Sequence, residues 1–305
     1  MNDDPNIVLP DGTPPSHDSE LQTERSKERT QENDRYVPVI VKRMDEVRRH
    51  PDDVLEYAIQ EGLEQLDRPA LSLFLSAVAA GLIVGFSAMA VAVVVTVTAD
   101  LESPLVSRLL MATVYPLGFV MCVMSGAQLF TEHTATAVYP VLDHKAHFLR
   151  LLRLWGIVVV GNLLGTLIGA GLLTAVDDVT GARDGYVEIG QHLVEFQFVP
   201  LLISALLAGW LMALGAWLVV STHPDISQFV SIYIVTFLIG LGGFHHSIAG
   251  SAEMFTAYFI SDHFTWTQCM RFIGVALIGN LIGGSLFVAV LNYAHIRKTQ
   301  ETTDN

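Results

Sequence analysis

Six long apolar runs set the frame for this chain. A helix needs ~20 apolar residues to cross the hydrocarbon core of a bilayer. Six segments qualify: about 71–97; 109–129, with an apolar continuation over 135–142; 151–176; 199–220; 229–259, interrupted near its middle; and 272–293. Only 16% of the residues are charged and 51% are hydrophobic, where soluble domains carry about 25% charged residues. The sequence therefore predicts an all-α membrane protein with six transmembrane helices, of which the second and fifth are broken.

What charge there is lies mostly at the front. Residues 1–36 are rich in Asp, Glu, Ser, Thr, Gln and Pro, a composition that buries too little apolar surface to order itself, so a disordered tail is expected there. A cytoplasmic helical region is expected over 37–69, with Val54, Leu55, Ala58, Ile59, Leu63 and Leu66 in one stripe at helical spacing. The transmembrane domain is expected over 70–294 and a short tail over 295–305. The opening MNDDPN lacks the basic-then-apolar pattern of a secretory signal, so insertion is expected to rely on the first span. Lys145, Arg150, Arg153, Arg297 and Lys298 fall on the same side as the basic head, and the positive-inside rule makes both termini cytoplasmic, with the plasma membrane as the expected location.

The formal charge of -14 argues against a nucleic-acid partner, which requires a basic surface. Cys122 and Cys269 are too far apart in sequence to build a disulfide framework or a zinc site.

The chain repeats itself. The third span carries Gly161-Asn162-Leu163-Leu164-Gly165 and the sixth carries Gly279-Asn280-Leu281-Ile282-Gly283. The spans before them are interrupted, by LFTEHT (Leu129 to Thr134) and by GGFHHS (Gly242 to Ser247). Three helices per half means that the halves enter the membrane in opposite directions, and inverted repeats with matching breaks place a transport site at those breaks. The GNL motifs also have a packing reading, since small residues let helices approach and Asn bonds across them.

A broken membrane helix leaves backbone groups that protein or water has to satisfy. The breaks bring Thr131, Glu132 and His133 on one side, and His245, His246 and then Glu253 on the other, to membrane depth. Ionisable groups there mark pathways or relays. Histidine, with an ordinary pKa near 6.5, suits the lending of a proton to a passing anion. Tyr115, Phe119, Phe130, Ile239 and Phe244 surround the breaks as candidate hydrophobic constrictions.

These residues resemble the formate/nitrite transporter family. The stretch YPLGFVMCVMSGAQLFTEHT (Tyr115 to Thr134) is similar to that family's second helix and following loop, and GFHHSIAG (Gly243 to Gly250) to the break in its fifth helix. The paired GNL motifs and the Trp155 region fit as well. The resemblance, from about residue 50 to the end, implies an aquaporin-like fold assembled as a homopentamer with one pore per protomer. It implies His246 as the central pore histidine, Thr131 as its partner, and constrictions at Tyr115, Phe119, Phe130, Met212 and Ile239. The substrate class it implies is a small monovalent anion such as formate or nitrite, moved with a proton. The chain departs from the family pattern at Leu193, where formate channels carry Lys, with Glu195 nearby; at Gly209, for an Asn; at Gly250; and at His245, for a residue that is often Glu. These mark a divergent branch with a long polar N-terminal extension.

Two other readings stay open on the residues. One is a pore for small neutral solutes, although paired Asn-Pro-Ala motifs are absent. The other is an intramembrane metal enzyme using His133, His245, His246, Glu132 and Glu253, without an HExxH spacing to support it. No cofactor or metal is expected.

Overall fold

In the computed structural model of the chain, residues 51–222 and 225–303 are described. The expected tail over 1–36 and the segment 37–50 lie outside the described residues. Among the described residues all regular elements are helical.

Helix α1 (Pro51–Asp67) begins with Pro51 and places Asp52 and Asp53 in its first turn, where proline costs no hydrogen bond and acids favour the positive helix end. It buries Val54, Leu55, Ala58, Ile59 and Leu66 on one face. The spans follow. Helix α2 (Ala70–Thr98) crosses first. Helices α3 (Pro104–Val114) and α4 (Pro116–Met124) run as one apolar length. After a break come the short α5 (Phe130–Thr136) and α6 (Tyr139–Leu142), then α7 (Phe148–Ala175). The short α8 (Asp177–Thr180) and the amphipathic α9 (Arg183–Glu195) lead to α10 (Phe198–Ser221). Helices α11 (Asp225–Gly242) and α12 (Ser247–Ile260) meet at a 52° bend. Helix α13 (Trp266–Ile282) passes through a π-helical stretch, Gly283–Val290, into α14 (Leu291–Thr303). Five of these lengths are apolar enough to cross a membrane, and the bent pair makes a sixth. Large apolar side chains such as Leu75, Phe86, Leu149, Ile203 and Ile278 remain exposed, as befits surfaces whose solvent is lipid rather than water.

The two breaks are built alike. In the first, Gly126 has φ 67°, the Gly126 N–H donates to Val123 O (3.0 Å) and the Ala127 N–H to Cys122 O (3.1 Å). In the second, Gly243 has φ 64°, the Gly243 N–H donates to Gly240 O (3.2 Å) and the Phe244 N–H to Ile239 O (3.0 Å). Both are the Schellman ending of a helix, in which a left-handed residue, ordinarily glycine, lets the last carbonyls be satisfied. The first interruption thus spans 125–129, about four residues before the LFTEHT expected from sequence, and Phe130 already starts α5.

The two GNL asparagines lock these breaks. Asn162 accepts the Phe130 N–H (2.9 Å) and donates to Ala77 O and Gln128 O (2.8 Å each). Asn280 accepts the Ser247 N–H (2.7 Å) and donates to Ala205 O (2.7 Å) and His245 O (3.1 Å). Each asparagine therefore ties a break to its own helix and to the first helix of its half. Close approach makes this possible: a Cβ on Gly81 would strike Asn162 O, and one on Gly209 would strike the Asn280 backbone.

The terminal helices close one end. Asp143, just after α6, pairs with Lys145 (2.8 Å) and Arg297 (2.7 Å) and accepts from the Tyr293 hydroxyl (2.9 Å), while Glu56 of α1 reaches Arg297 (2.9 Å) and Lys145 (3.6 Å). Burial pushes the Asp143 carboxyl up. The hydrogen bonds from Lys145, Tyr293 and Arg297 outweigh it and hold the group below its ordinary value.

Candidate functional site

The breaks meet at His246 and Thr131. The His246 ring stands at the N-cap of α12, where Nδ1 accepts from the Ile248 and Ala249 N–H groups (3.2 Å each). A nitrogen that receives two N–H donors carries no proton, so the ring proton is assigned to Nε2. Nε2–H then donates to Thr131 Oγ1 at 2.7 Å. Thr131, in the first turn of α5, and His246 are each only 1% exposed. The chain thus holds a neutral imidazole with its one donor pointed across the interface between the breaks.

A helix N-terminus with open N–H groups is by itself a place where an anion can bind. The first turn of α12 has other occupations: Ser247 N–H serves Asn280, Ile248 and Ala249 serve His246, and Gly250 N–H donates to His246 O. The positive helix end therefore acts through the imidazole, polarising Nε2–H, rather than through open backbone donors.

An aromatic stack covers the pair. The Phe119 ring lies 4.8 Å from the His246 ring, near perpendicular (81°), and Tyr115 lies 5.1 Å from Phe119. Phe130, Met212 and Ile239 are buried in the same core as Phe119 and Tyr115. Ser87 fixes the stack from below, donating to Tyr115 O (2.6 Å) and accepting from the Gly118 N–H (2.8 Å).

His245 adjoins His246 in sequence and faces elsewhere. Its Nδ1 lies 2.7 Å from Ser204 Oγ of α10, which also accepts its backbone N–H (3.2 Å), and its ring packs against Phe196, Phe272 and His192. Glu132 stands beside Thr131 on α5, with Oε2 buried and without a hydrogen-bond partner, near enough to Glu61 of α1 to interact electrostatically. Burial lifts the Glu61 carboxyl above its usual range, and Glu64 adds to this. Glu253, farther along α12, is buried and interacts with Tyr115 and Tyr186. The side chain of His133 lies outside the described residues. Leu193 is buried in the core with Met254 and Phe272. Among the described residues no three His, Cys, Asp or Glu side chains are gathered to hold a metal.

Three participants were missed in the sequence: Ser87, Ser204 and His192. Ser87 and Ser204 were legible as polar residues inside apolar runs. Nothing local points to His192, which reaches His245 through the tertiary fold.

A sequence profile of formate/nitrite transporters matches residues 52–294. The inner membrane protein YfdC of Escherichia coli (strain K12) is 34% identical over 246 residues, 79% of this chain and 77% of that one. Among solved structures, an "FNT family ion channel" superposes with a TM-score of 0.72 at 19% identity, over 80% of this chain and 99% of the other. A "pentameric formate channel with formate bound" superposes with a TM-score of 0.63 at 22% identity, over 74% and 97%. At these identities the structural likenesses establish a common fold.

Proposed function

Because the chain belongs to the formate/nitrite transporter family, we propose that it passes small monovalent anions, formate or nitrite in type, across the plasma membrane as their neutral acids. The observation that carries this reading is the bond between His246 Nε2 and Thr131 Oγ1 at 2.7 Å, with Nδ1 committed to the α12 N-terminus.

Charge in a low dielectric decides which form crosses. A bare anion between Phe119, Phe130, Met212 and Ile239 has lost its water and gained no permanent counter-charge, so its acid form is favoured. The Nε2–H and the Thr131 hydroxyl offer two donors to an arriving oxyanion. A proton then reaches the anion through water, while the neutral imidazole keeps its own, because losing it would leave an imidazolate far more basic than the anion. The neutral acid then passes the aromatic stack. His246 is the hydrogen-bond donor that holds the anion while it is protonated, and the Tyr115–Phe119 pair excludes ions. The protein acts as a transporter or channel rather than as an enzyme. His245 and His246 serve separate neighbourhoods, so the ligand set of a metal enzyme is not assembled from them.

Assembly as a homopentamer with one pore per protomer belongs to the same reading: a pentameric formate channel shares the fold, and the broad apolar exterior offers surface for neighbouring protomers. Both termini are placed in the cytoplasm, and the two halves, with equivalent Schellman breaks and asparagine locks, are read as inverted repeats.

Uptake of formate, nitrite and hydrosulfide into proteoliposomes across a pH series tests this. The expected result is saturable uptake of at least one of these anions, rising as the external pH falls. Uptake confined to uncharged solutes such as urea or glycerol would overturn it.

A further inference from the structure

One buried acid is left over once the His246–Thr131 pair is accounted for. Glu253 follows His246 by two turns of α12, so the two share one side of the helix, about 10 Å apart along its axis. Glu253 is only 7% exposed, and among the described residues no Lys, Arg or His pairs with it. Burying a carboxylate without a counter-charge costs far more than burying the neutral acid. Packing alone gives no reason for an acid here.

Its neighbours set it beside the aromatic stack. One turn back, Ala249 packs in the core that holds Tyr115 and Phe119. The adjacent Ala252 packs in a second core with Tyr186 of α9. The Glu253 carboxyl accordingly interacts electrostatically with both tyrosines. Tyr115 lies 5.1 Å from Phe119, and Phe119 lies 4.8 Å from the His246 ring, so the acid stands at the end of the stack away from the histidine. The Tyr186 hydroxyl is buried without a hydrogen-bond partner. Buried hydroxyls are almost always paired, and an orphan beside an acid is a place for a bridging water.

The other ionisable groups around α12 are engaged or turned away. Helix α2 carries none. On α9, Arg183, Asp184, Glu188, His192 and Glu195 are exposed. On α13, Arg271 is exposed and donates to Phe196 O, and Cys269 is buried in a separate core. Arg150 and Arg153 of α7 reach Asp67 and Arg68 O, and Glu132 of α5 faces Glu61.

We propose that Glu253 is the proton-loading residue of the pore: it takes a proton from water on the α9 side and passes it, through water beside Tyr115, to the anion held at His246 and Thr131. This rests on the anion-transport reading. On loading, a hydronium ion gives its proton to the carboxylate and leaves as water. On delivery, the O–H bond of the acid breaks, a proton moves along the intervening water to an oxygen of the anion, and the carboxylate remains to be reloaded. Loaded, Glu253 is neutral and does not repel an arriving anion.

The test compares full-length wild type with Glu253→Gln and Glu253→Asp. Formate uptake into proteoliposomes is measured over a series of external pH, and the carboxyl C=O stretch is followed over the same range by infrared difference spectroscopy. Glutamine keeps the size and polarity of the side chain but cannot carry the proton. Glu253→Gln is expected to lower uptake about tenfold at neutral pH, less than the roughly 100-fold or more that a positioned proton donor contributes, because bulk water remains as a slower route. The deficit is expected to shrink as the external pH falls and formic acid forms without help. Glu253→Asp is expected to recover most of the loss. A protonated-carboxyl band that titrates in the wild type should vanish in Glu253→Gln. Gel filtration confirms that each variant keeps its assembly. Wild-type uptake by Glu253→Gln, a deficit of equal size at every pH, or a titrating band unchanged by the substitution would overturn the proposal. A wild type in which the Glu253 band titrates but no anion moves would instead keep the proton site and remove the transport reading.

Discussion

His246→Phe is expected to lower anion uptake by about 100-fold, near the upper end of the roughly 1.5–3 kcal/mol that a hydrogen bond to a charged group contributes. The substitution keeps a ring against Phe119 but removes both functions of the imidazole. The transport function sits at Nε2, 2.7 Å from Thr131. The structural function sits at Nδ1, which caps α12 through Ile248 and Ala249. Loss of such a cap costs about 1 kcal/mol, so reduced stability alone could mimic a transport defect. His246→Asn separates the two. Asparagine is a good N-cap, and its carboxamide is too short to reach Thr131 while capping the helix. His246→Asn is expected to restore the unfolding temperature lost in His246→Phe and to leave uptake low. Uptake restored by His246→Asn would make the histidine a cap and nothing more.

Asn280→Leu carries the largest expected stability loss. Asn280 is fully buried and satisfies three backbone groups: Ser247 N–H, Ala205 O and His245 O. Leucine keeps the branched shape and the number of side-chain heavy atoms, is somewhat larger, and bonds to none of them. A stranded buried group costs about 1–3 kcal/mol, so three amount to on the order of 5 kcal/mol, comparable with the ~5–15 kcal/mol that holds a protein folded. The variant is expected to fail to accumulate as an assembled, detergent-stable protein. Asn162→Leu should behave alike, because it strands Phe130 N–H, Ala77 O and Gln128 O. Ile278→Ala, on an exposed position of the same helix as Asn280, is the control and should accumulate normally. Normal accumulation and thermal stability of Asn280→Leu would show that the break is held by other means.

The membrane-spanning helices were legible because hydrocarbon demands long apolar runs, and charge leaves those runs nearly everywhere except at the breaks. The second break showed itself through Gly242 and Gly243 followed by two histidines. The first hides behind Ser125-Gly126-Ala127, residues too small to interrupt a hydropathy pattern, so the pattern points instead to the polar LFTEHT. The positive φ of Gly126 marks the real position. The GNL repeat was visible, with helix packing and cross-helix bonding by Asn as its packing reading. Its tie to the breaks was not, because the partners of Asn162 and Asn280 lie on segments remote in sequence.

His245 and His246 illustrate the same limit. In a helix, or in a strand, the spacing of neighbours fixes their directions, but these two stand in the irregular segment 243–246. Only the fold sends His246 to Thr131 and His245 to Ser204.

The central claim is that the anion crosses as its acid. The measurement that tests it most directly records formate uptake and internal pH together, in proteoliposomes held at opposite membrane potentials. The account predicts that a proton enters with each formate and that the rate is the same at either potential. Uptake that follows the potential without internal acidification would contradict it.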